Sequence, residues 1–287
     1  MAEPSFYFVR TFRLFLQVFI GRGAYMKKIR DYLIYYSLKY NGDYQKVKRA
    51  IIDREDMTDE EFPPIKSGVV TFDDEDYPDY LKRINDPPLV LYYYGDISLL
   101  KNIDKHVGVI GSRNFSEYGK EATENIVSGI AKDTVIVSGL AYGIDAIAHA
   151  CAINNKGKTI AVLGSGIDVC YPPENQELYE KIKKNHLVIS EYPGLTQPSP
   201  DKFPFRNRII AQLSKCVLIT EAYARSGTSI TANFALMLGR TVCCVPYPVG
   251  KNSFCNKFIN QGAFLVEGPE DVLELIDINK NEPIFEL

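Results

Sequence analysis

Residues suited to holding an anion are concentrated in four short turns. Gly111-Ser112-Arg113-Asn114-Phe115-Ser116 combines a glycine, two small hydroxyl side chains and a guanidinium. Ser138-Gly139-Leu140-Ala141-Tyr142-Gly143-Ile144-Asp145, Gly164-Ser165-Gly166-Ile167-Asp168 and Glu221-Ala222-Tyr223-Ala224-Arg225-Ser226-Gly227-Thr228-Ser229 have the same texture. Where such a turn enters a helix, unpaired backbone N–H groups and the helix dipole attract phosphate oxygens. Arg113 and Arg225 add planar forks that match phosphate geometry. One turn of this kind could serve chain geometry alone. Four of them point to a phosphate-facing rim.

A second cluster is Lys202-Phe203-Pro204-Phe205-Arg206-Asn207-Arg208. From Lys202 to Ile230, five basic residues (Lys202, Arg206, Arg208, Lys215, Arg225) face a single acid, Glu221, in a chain of net charge −3. Arg206 and Arg208 are expected to fan around the first turn of a helix, where the dipole favours anions. Phe203 then places a ring beside a basic rim, the combination that holds single strands by phosphate contact and base stacking. The alternative leaves Phe203 and Phe205 in the core and the arginines bridging surface carboxylates.

Hydrolytic chemistry has weaker support. Asp145 and His149 stand at i and i+4, and Glu191 follows a strand, which could supply an acid–base couple. No serine or cysteine nucleophile is placed with them, so no catalytic residue is assigned. Asp145 is expected to cap a helix or orient a loop, and His149 to pack against the sheet. The six cysteines form no CxxC pair and the chain has only three histidines, so neither a metal nor a cofactor is expected. The dinucleotide and P-loop fingerprints are also missing.

The elements that must position these turns are legible. Short β-branched runs at Val107–Ile110, Thr134–Val137, Lys158–Leu163, His186–Ile189, Cys216–Thr220 and Thr241–Val245 alternate with helical patterns. The helical patterns are Ser116–Lys132, Gly143–Asn154, Glu174–Lys184, Arg206–Leu213 and Ser229–Leu238. Buried strands alternating with helices specify an α/β fold, a Rossmann-like, mostly parallel sheet with helices on both faces. Gly68–Phe72 and Leu89–Tyr94 are expected to extend it. Ahead of them, Ile29, Leu33, Tyr36 and Tyr40 have helical spacing, and a second short helix around Tyr44–Ile52 ends near Pro63-Pro64. The expected organisation is a small helical module at 26–64, packing against a Rossmann-like domain at 65–287. Residues 1–25 are expected to be an extension or a mis-assigned start, because Met26-Lys27-Lys28-Ile29 opens a helix.

Composition bounds the rest. The chain has 287 residues, 46% hydrophobic and 24% charged, enough apolar mass for a large core. No apolar run approaches the roughly 20 residues of a membrane span, and the reduced thiols suggest the cytoplasm. A formal charge of −3 excludes a globally basic protein, so any polyanion site must be local.

Together these motifs closely resemble the DprA/Smf family of DNA-processing proteins. The resemblance spans Tyr77-Pro78 and Pro87–Tyr92 to Gly268–Leu273. It includes Gly111-Ser112-Arg113, Ser138–Asp145, Ala148-His149, Tyr171-Pro172, Ser190-Glu191-Tyr192, Phe203-Pro204, Arg206–Ala211, Glu221-Ala222 and Arg225-Ser226-Gly227. It implies a non-enzymatic, cytoplasmic binder of single-stranded DNA that protects incoming DNA and loads the RecA recombinase during natural transformation. By position, Gly111, Ser112, Arg113, Ser116, Lys202, Phe203, Arg206, Asn207, Arg208, Arg225, Gly227 and Thr228 would contact DNA. Arg113 would grip phosphate and Phe203 would stack a base. The resemblance also implies a homodimer, with Ile259 and Leu265 as apolar anchors at the dimer and recombinase-contact region. The N-terminal module looks like the family's small SAM-like helical domain. Val245-Pro246-Tyr247-Pro248 departs from the usual Val-Pro-Gly, Cys255-Asn256 from Cys-His, and Thr228-Ser229 from Ser-Leu. A phosphoribohydrolase of related fold is the alternative, but Ala224 and Arg225 stand where its Pro-Gly-Gly-x-Gly-Thr run belongs.

Overall fold

The computed structural model describes residues 28–223, 227–248 and 254–278. The sequence expectation for 1–25 and the predicted contact Arg225 lie outside the described residues. The chain opens with helices α1 (Ile29–Lys39) and α2 (Tyr44–Ile52). Asp43 caps α2 by accepting from the Lys46 amide at 3.1 Å, satisfying one of the orphan donors at a helix start. Between the two helices Gly42 has φ 73°, and a Cβ there would sit 2.5 Å from the Glu191 carbonyl oxygen. Only glycine allows that approach.

Nine strands follow: β1 (Gly68–Thr71), β2 (Val90–Gly95), β3 (His106–Gly111), β4 (Val135–Ser138), β5 (Lys158–Val162), β6 (Leu187–Ser190), β7 (Cys216–Glu221), β8 (Thr241–Cys244) and β9 (Phe264–Leu265). They form one sheet in the order β1-β2-β6-β5-β4-β3-β7-β8-β9. The pairs β1–β2 and β2–β6 are antiparallel and the remaining pairs parallel, as expected of a doubly wound sheet with added strands. Ile136, Val137, Ile160, Ala161 and Val162 are wholly buried, which explains why these strands are continuous apolar runs and not alternating ones.

The connecting helices are α3 (Glu117–Ile130), α4 (Ile144–Asn154), α5 (Gln176–Asn185), α6 (Lys202–Leu213), α7 (Gly227–Met237), α8 (Phe254–Asn260) and α9 (Pro269–Ile278). Ile126, Val127 and Ile130 of α3 pack with Ile144 of α4, Val272 of α9 and Val107 and Val109 of β3 on one face. On the other face, Ile209 and Ile210 of α6 and Ala232 and Ala235 of α7 join a larger cluster. Leu33, Tyr36 and Val47 of the N-terminal helices belong to that same cluster, together with Leu91 and Tyr92. Tyr92 donates from its hydroxyl to Ser37 Oγ at 3.0 Å, tying module to sheet.

Two features of this arrangement bear on function. The chain runs outward from β3 through β4, β5 and β6, then returns to place β7 on β3's other side. That reversal opens a crevice beyond the carboxyl ends of β3 and β7, where doubly wound sheets bind ligands. The second is the start of α6. The sequence predicts a helix from Arg206, but α6 begins at Lys202. Pro204 lies in its first turn, where a missing N–H costs nothing. Arg206 and Arg208 are therefore carried into the second turn and point elsewhere than expected.

Candidate nucleic-acid interface

At the β3–β7 crevice, the sheet register shifts between Ile110 and Gly111. The Ser112 amide then donates to the Glu221 carbonyl at 2.8 Å. Ser112 is buried, and its hydroxyl donates to the Asn114 carbonyl at 2.8 Å and accepts from the Asn114 amide at 3.1 Å. It thus folds the turn and leaves Arg113 exposed at the tip. Ser116 caps α3, accepting from the Gly119 amide at 3.1 Å. The Glu221 carboxylate, 1% exposed, accepts from the Ser116 amide at 2.8 Å and the Tyr223 hydroxyl at 2.7 Å. The positive end of α3 therefore already holds an internal anion. Thr228 ties α7 to the same turn, donating to the Gly111 carbonyl at 3.1 Å. Asn207 Nδ2 reaches the Gly227 carbonyl at 3.5 Å, and no described residue outside its own helix lies within 4 Å of where a Gly227 Cβ would stand.

Phe203 forms the platform of the site. It lies against Gly164, where a Cβ would fall 2.6 Å from its ring. Tyr171, itself 44% exposed, packs beside it with ring centroids 5.5 Å apart. The Arg113 guanidinium stands 5.6 Å from the Phe203 ring centroid, a cation–π contact joining two distant turns. No ion pair among the described residues engages Arg113, so its charge remains available to solvent-borne anions. Lys202 is half-buried; its Nζ donates to the Gln197 carbonyl at 2.5 Å and lies 5.3 Å from the Tyr192 ring centroid.

The other two arginines correct the sequence-based expectation of a basic rim. Arg206 is 4% exposed, and its guanidinium donates to the Gly139 carbonyl at 2.7 Å and to the Val162 carbonyl. A Cβ on Gly139 would meet that guanidinium at 2.5 Å, so the glycine makes room for the arginine. Burial lowers the Arg206 pKa to about 10, with Asp145 opposing. Burial raises the neighbouring Asp145 carboxyl, which Arg206 and the amides of Gly139 and Ala141 partly offset. Asp145 accepts from the Gly139 amide at 3.1 Å, so it orients the turn as anticipated. Arg208 is 4% exposed, makes two 2.6 Å bonds to the Glu191 carboxylate, and donates to the Asp86 carbonyl at 2.8 Å. Its guanidinium also lies 3.7 Å from the Phe205 ring centroid. Neither arginine faces solvent. They brace α6 from inside, and Arg113 and Phe203 are left as the accessible pair.

Three aromatic residues at the rim were not assigned from sequence: Tyr171, Tyr142 and Phe115. Each stands within or beside a glycine-rich turn, the one available signal. Among the described residues, no group of three or more His, Cys, Asp or Glu side chains could hold a metal ion. None of the described helices is long and apolar enough to cross a membrane.

Comparison with known proteins bears directly on this geometry. A family model described as DNA recombination-mediator protein A matches residues 68–277. The chain belongs to this family. It is 45% identical over 202 residues to the DNA processing protein DprA of Streptococcus pneumoniae, covering 70% of this chain and 71% of that one. With DprA of Bacillus subtilis it shares 41% identity over 214 residues, 72% of this chain and 70% of its relative. An X-ray structure of DprA from S. pneumoniae superposes with a TM-score of 0.73 at 35% identity, covering 95% of this chain and 98% of that one. The structure of DNA processing protein A from Helicobacter pylori, solved for its single-stranded DNA binding mode, has a TM-score of 0.67 at 28% identity. It covers 76% of this chain and 99% of its own. Membership of this family places the chain with DNA-processing proteins rather than with the phosphoribohydrolases.

Proposed function

We propose that this protein binds single-stranded DNA beyond the carboxyl ends of β3, β4 and β5, protects incoming strands and delivers them to the RecA recombinase during natural transformation. One observation carries the site: an exposed guanidinium, Arg113, over a partly exposed ring, Phe203, beyond the carboxyl ends of β3 and β5. A phosphate on Arg113 and a base on Phe203 are the two contacts by which single strands are held without sequence preference. The H. pylori relative's binding mode and the family's description as recombination mediators support this assignment. The helical module at 26–64 serves as a brace for the DNA-binding domain at 65–287, and the protein works in the cytoplasm.

The same proposal includes a homodimer. Ile259 is half-buried on α8, and Leu265 is 48% exposed on β9, which among the described strands pairs only with β8 at the end of the sheet. An edge strand with exposed Phe264 and Leu265 is suited to meeting a second copy.

Fluorescence anisotropy with labelled oligo-dT and an equal-length duplex, across a salt series, tests the DNA assignment. Salt-sensitive preference for the single strand is expected. Arg113→Ala should weaken binding for all sequences and reduce the salt slope by about one. Phe203→Ala should cost about 1–3 kcal/mol of binding free energy, the stacking contribution. Undiminished affinity in both variants would overturn the site.

A further inference from the structure

On the single-strand assignment above, we propose that Tyr142 and Phe115 form a second stacking step, taking the base on the other side of the phosphate held by Arg113. The argument begins with the strand itself. Every internal phosphate of a single strand is flanked by two bases, and Phe203 can receive only one of them. Arg113 joins two aromatic pairs. Its guanidinium lies on Phe203, which packs beside Tyr171. Its backbone lies against the turn that carries the other pair: a Cβ on Gly143, at φ 90°, would fall 2.8 Å from the Arg113 Cα. Tyr142 immediately precedes that glycine.

The Tyr142 and Phe115 rings have centroids 6.4 Å apart at 40°. Phe115 is half-buried and anchored against the cluster beneath α3 and α4. Tyr142 lies at its side and is 54% exposed, so one face of its ring is open to a ligand. An exposed ring backed by an anchored one and adjoining a phosphate-binding cation suits a planar base, because every base offers a π-face to it. The class of ligand is thus two successive nucleotides of one strand, one on each side of Arg113.

The chain contains no Trp, so Tyr142→Trp introduces a single indole reporter. Saturating oligo-dT should quench its emission by at least about half through base stacking. A control indole at Ile52, 50% exposed at the end of α2, should keep its emission. Tyr142→Ala should weaken oligo-dT binding roughly 5- to 150-fold, and Tyr142→Phe should retain affinity within about twofold, since stacking needs the ring and not the hydroxyl. Unquenched emission from the Tyr142→Trp variant together with wild-type affinity in Tyr142→Ala would overturn the second step alone, provided Arg113→Ala and Phe203→Ala still lose binding. Normal binding in those two variants would instead remove the single-strand assignment on which the step depends.

Discussion

Arg208→Ala should lower the unfolding free energy by about 3–5 kcal/mol, the cost of leaving one member of a buried ion pair uncompensated. Arg208 and Glu191 are both almost fully buried, each about 5% exposed at the side chain, and their two 2.6 Å bonds have parallel geometry. Removing the guanidinium strands the Glu191 carboxylate and also frees the Asp86 carbonyl. The damage extends to the N-terminal module, because the Tyr44 ring of α2 lies 5.8 Å from the Arg208 guanidinium and 5.7 Å from Phe205. Urea unfolding followed by circular dichroism measures the loss. Glu191→Gln should also be destabilising, because it leaves the buried Arg208 guanidinium without its counter-charge. The paired change Arg208→Met with Glu191→Leu should recover most of it, since replacing both partners by apolar groups removes the uncompensated charge. A loss below about 1 kcal/mol in Arg208→Ala, the level of an exposed pair, would contradict the internal role.

The second large effect is acid lability centred on His149. The imidazole is fully buried, and its Nδ1 lies 2.6 Å from Thr159 Oγ1. Thr159 donates its own proton to the Ile136 carbonyl at 2.7 Å, so it must accept from Nδ1–H. The proton therefore sits on Nδ1, and Nε2 has no hydrogen-bond partner among the described residues. Adding a second proton at Nε2 would bury a charge near Arg206. Burial, then Arg206, push the His149 pKa down to about 3 from an ordinary 6.5. The folded-state value is depressed, so the unfolded chain binds the proton first as the solution is acidified. The stability is fully present above pH 6.5 and falls toward pH 3, at about 1.4 kcal/mol per pH unit for this group. Burial shifts His106 and His186 in the same direction, so they add to the trend. Urea midpoints between pH 7 and pH 5 check this, and His149→Gln should flatten the slope by about one proton. Equal slopes in wild type and variant would show that His149 does not carry the effect.

Much of the framework was legible in sequence because parallel strands announce themselves. Val107–Ile110 and Cys216–Thr220 are apolar on both sides, and Gly111, Gly139 and Gly164 stand at or just beyond the ends of β3, β4 and β5. The turns that build the crevice were found for the same reason. What sequence could not give was direction. Arg206 and Arg208 look like surface cations, but the absent side chain of Gly139 opens the space that the Arg206 guanidinium occupies. Glu191, the partner of Arg208, is 17 residues away in sequence. Pro204 disguised the true start of α6, turning a predicted first-turn fan into an internal brace. The stacking of Arg113 on Phe203 joins residues on turns far apart in the chain, and Tyr171 reaches the same platform from a third. Such encounters depend on strand order, which short motifs do not encode. Glu221 reads in sequence as a turn residue and the lone acid of a basic stretch, whereas its burial fills the helix end that the turn texture offers to phosphate.

The central claim is that a single strand lies across the Arg113–Phe203 platform. Photocrosslinking with oligo-dT carrying 5-iodo-deoxyuridine, followed by mass spectrometry of the tryptic peptides, tests it most directly. Crosslinks should fall on peptides containing Phe203 and Tyr171 and be lost to duplex competitor less readily than to unlabelled single strand. Crosslinks confined to the outer surfaces of α3 and α9, with none beyond the carboxyl ends of β3, β4 and β5, would contradict it.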